Sequence, residues 1–282
     1  MPDYPYTLLD VFTSTPLEGN GLAVVHDADD LDDATMLAFA RETRLSETTF
    51  VQPATVAGAD YRNRIFTVAG ELPFAGHPSL GTAVAVAQRQ GLRRARFTQQ
   101  TGAGTQAIEV EREAQLARAS MLQEPAWLGP EVARAQALAP AGLSAHDADP
   151  ALSPQVVSTG LAHLIAPVAG ADALARAQLH PGALAALLEP LGATVLYLAW
   201  CDPSDGLART RGFFHDGEDP ATGSAAGPLC AYLSARRGQD SVEISQGVEM
   251  GRPSRLEAAL EGDRVRVGGD VVVLVEGTLR LH

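Results

Sequence analysis

The chain has 282 residues, 46% of them hydrophobic, and a formal net charge of −13. This length allows one or two domains with cores of their own, and the negative charge argues against nucleic acid or an anionic membrane as a partner. All 21 basic residues are arginine, which excludes pyridoxal-phosphate, Schiff-base and P-loop chemistry, because each needs a lysine amine.

The N-terminal part of the chain predicts a small sheet covered by one helix. Alternating apolar and β-branched residues, separated by turn residues, indicate strands. The helix carries aspartates in its first turn, as helix N-termini favour. The predicted elements are strands at 6–12, 22–25, 45–51 and 60–67 and a helix at 32–43. Glu47 lies inside the third of these strands.

A segment of 30 residues occurs twice, 147 positions apart. In this ungapped alignment 9 of the 30 positions are identical, against about 2 expected by chance, which indicates a duplicated domain rather than a short repeat array. The identical pairs are Arg62/Arg209, Arg64/Arg211, Phe66/Phe213, Gly70/Gly217, Glu71/Glu218, Pro73/Pro220, Gly76/Gly223, Arg89/Arg236 and Gly91/Gly238.

Each copy leads into an apolar helix, predicted at 77–91 and 224–237. A helix that is apolar on all sides is buried, and both helices stop at a glycine. The sequence therefore predicts an α+β protein of two pseudo-symmetric domains, 1–126 and 127–282, each with strands around one central helix. It leaves open whether the last strand pairs back with the first domain.

The remaining segments predict mostly strands. Three further helices are expected at 130–138, 171–178 and 181–189. The predicted strands are 96–98, 106–112, 117–123, 155–159, 162–167, 194–201, 208–214, 255–259, 264–267 and 271–281.

Two residues of the first half are candidates for acid–base chemistry. Glu47 either faces solvent on the outer side of its strand or is buried, where a carboxyl group is suited to proton transfer. His77 stands at the head of the first buried helix, where the backbone amides and the dipole attract anions and disfavour imidazolium; the alternative is a simple helix cap. The repeat places Ala193 or Thr194 opposite Glu47, so Glu47 has no acidic counterpart.

The second half offers matching candidates. Ser224 is the counterpart of His77 and is a residue type that caps helices. Asp219 adds a carboxylate beside the same helix head, where it either meets a substrate or compensates the dipole and caps a turn. If the two helix heads face each other, the cleft between the domains suits a small carboxylate-bearing molecule.

Other functional signals are weak. Neither a dinucleotide fingerprint nor a metal-ligand cluster stands out, and Cys201 and Cys230 fit free, buried thiols. The chain has no signal-peptide pattern and no run of 18 apolar residues, so we expect a cytoplasmic protein.

Several motifs together resemble the PhzF family of phenazine-biosynthesis-like isomerases. They cover nearly the whole chain and are Asp10-Val-Phe12 with Gly19-Asn20, Leu45-Ser-Glu47, Glu71-Leu-Pro-Phe-Ala-Gly-His-Pro-Ser-Leu-Gly-Thr-Ala83, Glu218-Asp-Pro-Ala-Thr-Gly-Ser-Ala-Ala226 and Gln246-Gly-Val-Glu-Met-Gly-Arg-Pro-Ser254. The resemblance implies the diaminopimelate-epimerase-like fold, in which each domain is a barrel-like sheet around a central helix. It also implies a homodimer and a cofactor-independent proton shift, which in the phenazine enzyme acts on trans-2,3-dihydro-3-hydroxyanthranilate.

The resemblance assigns the general acid/base to Glu47 and supporting roles to His77, Asp219 and Ser224. The related epimerases carry a cysteine at each helix head, where this chain has His77 and Ser224, so a two-thiol racemase is excluded. A single unpaired base can return a proton to another carbon on the same face, which favours isomerisation over racemisation.

We therefore expect a cofactor-independent isomerase of a small carboxylic acid. Ser224 and the backbone amides after Gly76 and Gly223 are expected to hold the carboxylate, and Asp219 and His77 to orient or protonate other polar groups. Two alternatives stay open: an epimerase or racemase that uses Glu47 and Asp219 as opposed bases, and a non-catalytic binding protein of the same fold.

Overall fold

A computed structural model describes residues 3–202, 206–215 and 217–281. The chain divides into two compact units. Unit 1 comprises Met1–Met121 and Gly268–His282, and unit 2 comprises Leu122–Val267. The domain boundary predicted from the sequence lies a few residues later, after residue 126. The last strand, which the sequence left open, belongs to unit 1 from Gly268 onward.

Unit 1 is built from strands with one helix inside and one outside. In chain order its elements are β1 (Asp3–Val11), β2 (Asn20–Val25), α1 (Asp33–Thr43), β3 (Glu47–Gln52), β4 (Tyr61–Phe66), β5 (Glu71–Leu72), α2 (Gly76–Arg89), β6 (Arg94–Thr101), β7 (Gly104–Glu113) and β8 (Leu116–Leu122). The end of the last strand of the chain also belongs to this unit.

Unit 2 follows without a break and ends inside that last strand. Its elements are β9 (Trp127–Glu131), α3 (Arg134–Leu138), β10 (Gln155–Ser158), β11 (Ala162–Pro167), α4 (Ala171–Arg176), α5 (Pro181–Leu191), β12 (Leu196–Cys201), β13 (Leu207–Phe214), β14 (Gly217–Asp219), α6 (Gly223–Arg237), β15 (Ser241–Gln246), β16 (Ser254–Glu261) and β17 (Arg264–Arg280). Short 3-10 turns lie at Ala139–Ala141, Ala145–Asp147 and Val248–Met250.

Eight strands of unit 1 close into a barrel. β1 pairs with β2, β2 with β3, β3 with β4, β4 with β6, β6 with β7 and β7 with β8. β17 then pairs with both β8 and β1, which joins the two ends of the sheet. The expected barrel-like sheet is confirmed.

The helix α2 fills this barrel. It contacts β1, β2, β3, β4, β6 and β7, and its residues are buried from Gly76 to Ala87. Gly81 permits the close approach, because a Cβ there would lie 2.6 Å from a methyl of Leu22 and 2.8 Å from a methyl of Leu9. The apolar pattern therefore correctly predicted a buried central helix.

Unit 2 repeats the strand pairing of unit 1. β11 and β12 are parallel, β12 and β13 antiparallel, β13 and β15 parallel, and β15 and β16 antiparallel. This is the sequence of directions from β2 to β7 in unit 1. Within unit 2, α6 contacts β10, β11, β15 and β16 and is buried over most of its length. The predicted domain duplication is thus visible in the topology.

The repeated arginine and glutamate form the same ion pair in each unit, and the arginine is buried in both. Arg64 donates to Glu71 through Nε (2.8 Å) and Nη2 (2.6 Å), and Arg211 donates to Glu218 through the same atoms at 2.7 and 2.6 Å. Each guanidinium also lies about 5 Å over the ring of a phenylalanine two residues on. This arrangement explains why Arg, Phe and Glu are identical in the two copies.

Two predictions about secondary structure were wrong. The segment 130–138 is not one helix, because Trp127–Glu131 pairs with β10 as a strand and α3 begins only at Arg134. The predicted strands 264–267 and 271–281 are a single strand, β17, which continues through Gly268 and Gly269. None of the helices in the described ranges combines the length and hydrophobicity that a membrane span needs.

Candidate active site

Glu47 is largely buried inside unit 1. It is the first residue of β3 and pairs in parallel register with Leu22 of β2. Its side chain is 14% exposed, and Oε2 lies 3.4 Å from Nε2 of His77. The interpretation of Glu47 as a solvated residue on the outer face is therefore wrong.

His77 is the second residue of α2 rather than its cap. The helix begins at Gly76, its N-cap is Ala75, and no side chain caps it, so the helix-cap alternative is wrong. The His77 side chain is 5% exposed, and burial lowers its pKa to about 3. At neutral pH the ring is therefore uncharged and carries a single N–H.

Asn20 determines which ring nitrogen of His77 carries that proton. The side-chain amide of Asn20 contacts Nδ1 of His77 through Nδ2 at 3.2 Å. Since an amide NH₂ can only donate, Nδ1 accepts and the proton lies on Nε2. Nε2 lies 3.4 Å from Oε2 of Glu47, a close electrostatic contact that does not meet the geometry of a hydrogen bond. In the part of the chain that the structure describes, Nε2 has no hydrogen-bond partner.

The head of α2 offers two backbone N–H groups, those of Gly76 and His77, because Pro78 has none. In unit 2 the head of α6 has the same form. Gly223 and Ser224 are its first two residues. Helix N-terminal amides stabilise negative charge, so each unit has a place where an anionic group can bind.

Asp219 is fixed beside the head of α6. Thr222, the N-cap of α6, donates its hydroxyl to Oδ2 of Asp219 at 2.7 Å. Gln246 donates to the Asp219 carbonyl at 2.7 Å and to Thr222 Oγ1 at 2.9 Å. Gln246 is itself held by the hydroxyl of the buried Tyr197 at 2.9 Å. Asp219 and Ser224 thus belong to one ordered segment that leads into α6.

Ser224 contacts a histidine that sequence reasoning did not select. Oγ of Ser224 lies 3.1 Å from Nε2 of His163, and Nδ1 of His163 lies 2.9 Å from Oγ1 of Thr194. His163 is buried in β11, and burial lowers its pKa to about 4, so the ring is neutral at neutral pH. Thr194, one of the two positions that the repeat matches to Glu47, therefore belongs to a chain of neutral polar side chains.

Cys201 and Cys230 belong neither to the residues around Glu47 and His77 nor to those around Asp219 and Ser224. Both are free thiols; Cys230 is buried as expected, whereas Cys201 is only partly buried. Desolvation raises the pKa of each to about 11, which disfavours the reactive thiolate. In the described ranges no group of three or more His, Cys, Asp or Glu side chains is placed to hold a metal ion.

Unit 1 thus brings Glu47, His77 and Gly76 together, and unit 2 brings together Asp219, Gly223 and Ser224. The only sequence signal for Asn20 was the motif in which it follows Gly19. Gly19 has a φ of +68° and forms a tight turn.

Comparisons with known proteins identify relatives along nearly the whole chain. A family model described as "Phenazine biosynthesis-like protein" matches residues 9–277. The chain is 41% identical over 294 residues to trans-2,3-dihydro-3-hydroxyanthranilate isomerase of Pseudomonas fluorescens, covering 98% of this chain and 99% of the relative. The isomerase of the same name from Pseudomonas aeruginosa is 37% identical, with 96% and 98% covered.

Solved structures of similar fold also cover nearly the whole chain. A protein from Pseudomonas aeruginosa described as a predicted epimerase has a TM-score of 0.87 and 38% identity, covering 99% of this chain and all of the other. A hydroxyproline epimerase from Agrobacterium vitis has a TM-score of 0.65 at 14% identity, covering 98% of this chain and 92% of that protein. The second likeness is one of fold.

Proposed function

Because the chain belongs to the family of phenazine biosynthesis-like proteins and is a PhzF-type isomerase, we propose that it moves a proton within a small unsaturated carboxylic acid. The substrate to test first is trans-2,3-dihydro-3-hydroxyanthranilate, on which the named relatives act. The observation that carries the proposal is the largely buried Glu47 carboxylate facing Nε2 of His77.

In the proposed reaction Glu47 acts first as a base and then as an acid. Its carboxylate takes a proton from a carbon next to a carbon–carbon double bond, and the electrons of the broken C–H bond shift along the allylic system. The carboxylic acid so formed returns the proton to the far carbon, so atoms and charge balance. The Nε2–H of His77 stabilises the ionised carboxylate before and after the cycle.

The polar groups of the substrate need partners of their own. We propose that Ser224 and the backbone amides at Gly76 and Gly223 hold the substrate carboxylate, and that Asp219 orients or protonates a further polar group. These roles follow the resemblance in sequence. They are supported by the order around α6, where the hydroxyl of Thr222 fixes Asp219.

A one-base reaction fits the unequal repeats better than racemisation does. Unit 1 presents a carboxylate at Glu47, whereas neither matching position in unit 2, Ala193 or Thr194, is acidic, and Thr194 contacts the neutral His163. An epimerase that uses Glu47 and Asp219 as opposed bases is the alternative; it would place deuterium at an inverted centre. A binding protein without turnover would exchange no substrate proton at all.

The test measures the rate of isomerisation by the Glu47→Gln variant. Glu42→Gln, at an exposed position of α1, is the matched control. We expect the first variant to lose about 10² to 10⁴-fold in kcat with its thermal unfolding unchanged, and the control to keep full activity. Activity retained in Glu47→Gln would refute the proposed base. The homodimer, the cytoplasmic location and the lack of nucleic-acid and membrane partners remain predictions from the sequence.

A further inference from the structure

A chain of polar side chains runs through unit 2 behind Ser224. Thr194, just before β12, contacts Nδ1 of His163 at 2.9 Å, and Nε2 of His163 contacts Oγ of Ser224 at 3.1 Å. His163 is 1% exposed, so the ring is sealed from water between the two hydroxyl groups. Burial of an imidazole is costly unless both nitrogens are satisfied, and the two hydroxyls satisfy them.

The neutral ring has one proton, and the two hydroxyl contacts allow it on either nitrogen. If Nε2 carries the proton, Oγ of Ser224 accepts from His163, and Nδ1 accepts from the hydroxyl of Thr194. If Nδ1 carries the proton, both hydrogen bonds run in the opposite direction.

The contact with Thr194 is compatible with a proton on Nε2. The Thr194 hydroxyl has two acceptors within reach, Nδ1 of His163 at 2.9 Å and the Ala162 carbonyl at 3.1 Å. That carbonyl already accepts the backbone N–H of Thr194 at 2.9 Å. With the Thr194 hydroxyl donating to Nδ1, the proton of His163 lies on Nε2 and points toward Ser224.

The direction of the hydrogen bond between Nε2 of His163 and Oγ of Ser224 decides whether Ser224 can donate to a ligand. When Nε2–H donates to Oγ, the hydroxyl hydrogen of Ser224 is left for an anionic group. With the opposite tautomer, Ser224 would give its hydrogen to His163 and present only lone pairs, which repel a carboxylate. We propose that His163 is a positioning residue that makes Ser224 a hydrogen-bond donor to the substrate carboxylate. This inference rests on the proposed function for the identity of the bound group.

The tautomer can be measured without any substrate. Two-bond ¹H–¹⁵N correlation spectra of ¹⁵N-histidine-labelled protein distinguish the two neutral forms, and His163→Gln identifies the signal. We expect a protonated Nε2 and an unprotonated Nδ1 in His163 at pH 7. A protonated Nδ1 would overturn the inference even if the protein is an active isomerase, and the expected tautomer would support it even if this substrate is wrong.

A double-mutant cycle tests whether His163 acts through Ser224. Loss of one hydrogen bond to a charged group should raise KM about 10- to 100-fold in His163→Leu and in Ser224→Ala, with kcat changed less than threefold. The double variant should match Ser224→Ala alone, and His163→Gln, which keeps an N–H donor, should recover part of the affinity. Additive effects on KM, or a loss of kcat alone, would contradict the assignment. If His163→Leu fails to fold, the spectrum of the wild type still decides.

Discussion

Asn20→Asp should disturb the acid–base pair without touching Glu47 or His77. The amide of Asn20 donates to Nδ1 of His77 at 3.2 Å and so holds the ring proton on Nε2. A carboxylate of the same shape can only accept, so it would draw the proton to Nδ1. The lone pair of Nε2 would then face Oε2 of Glu47 across 3.4 Å, replacing a favourable contact by a repulsive one.

The magnitude follows from the contact that is lost. A hydrogen bond to a charged group contributes about 1.5–3 kcal/mol, which is an upper bound for this 3.4 Å contact and corresponds to a decrease in kcat of up to about 150-fold. Asn20→Leu removes the donor without reversing it and should cost less. Asn63→Asp is the matched control for burying a new carboxylate, because Asn63 is also a buried amide of unit 1 but lies in β4 and bonds to Gln99.

The assay combines steady-state rates with ¹⁵N-histidine spectra of the same samples. We expect Asn20→Asp to move the His77 proton to Nδ1 and to lower kcat, while Asn63→Asp alters stability only. The reasoning is refuted if Asn20→Asp keeps kcat within threefold of the wild type, or if Nε2 of His77 stays protonated while the rate falls.

Two further predictions concern stability. Glu218→Gln should lower the free energy of unfolding in urea by about 3 kcal/mol, because the Arg211 and Glu218 side chains are only 9% and 16% exposed. Glu71→Gln should lower it by about 1 kcal/mol, because Glu71 is 38% exposed. Equal losses in the two variants would contradict this reasoning. The pKa of His163 is lowered to about 4 from 6.5, so unfolding takes up a proton as pH falls through this window. The stability of the wild type should therefore fall with decreasing pH more steeply than that of His163→Gln, by about 1.4 kcal/mol per pH unit between pH 6 and 4.5; equal slopes would refute a buried neutral ring.

The duplicated fold could be predicted because its repeated residues carry strong physical constraints. Arg64 and Arg211 are each fixed by a carboxylate and an aromatic ring, so these residue types persist when most of the segment has diverged. The all-apolar helices were equally informative, because only burial tolerates such a surface. Glu47 and His77 were candidates from their positions in a strand and at a helix head, the motif resemblance assigned their roles, and the structure brings them together.

Other features lacked a local signal. His163 is one histidine in a buried strand, and its partner Ser224 lies 61 residues away, so no spacing links them. Trp127–Glu131 contains Gly129 and Pro130, which weaken a strand pattern, yet the segment pairs with β10. β17 was divided in the prediction because two glycines interrupt its alternation, and a glycine is needed there because a Cβ at Gly268 would lie 2.8 Å from the Ala119 carbonyl. Tertiary pairing decided these cases.

The most direct test of the account is ¹H NMR in D₂O of trans-2,3-dihydro-3-hydroxyanthranilate with the wild type and with Glu47→Gln. The account predicts that only the wild type consumes the substrate signals and places deuterium at the carbon that receives the returned proton. Full turnover by Glu47→Gln, or deuterium at an inverted centre of an unshifted skeleton, would contradict a proton shift carried by Glu47. No reaction with the wild type would reject this substrate.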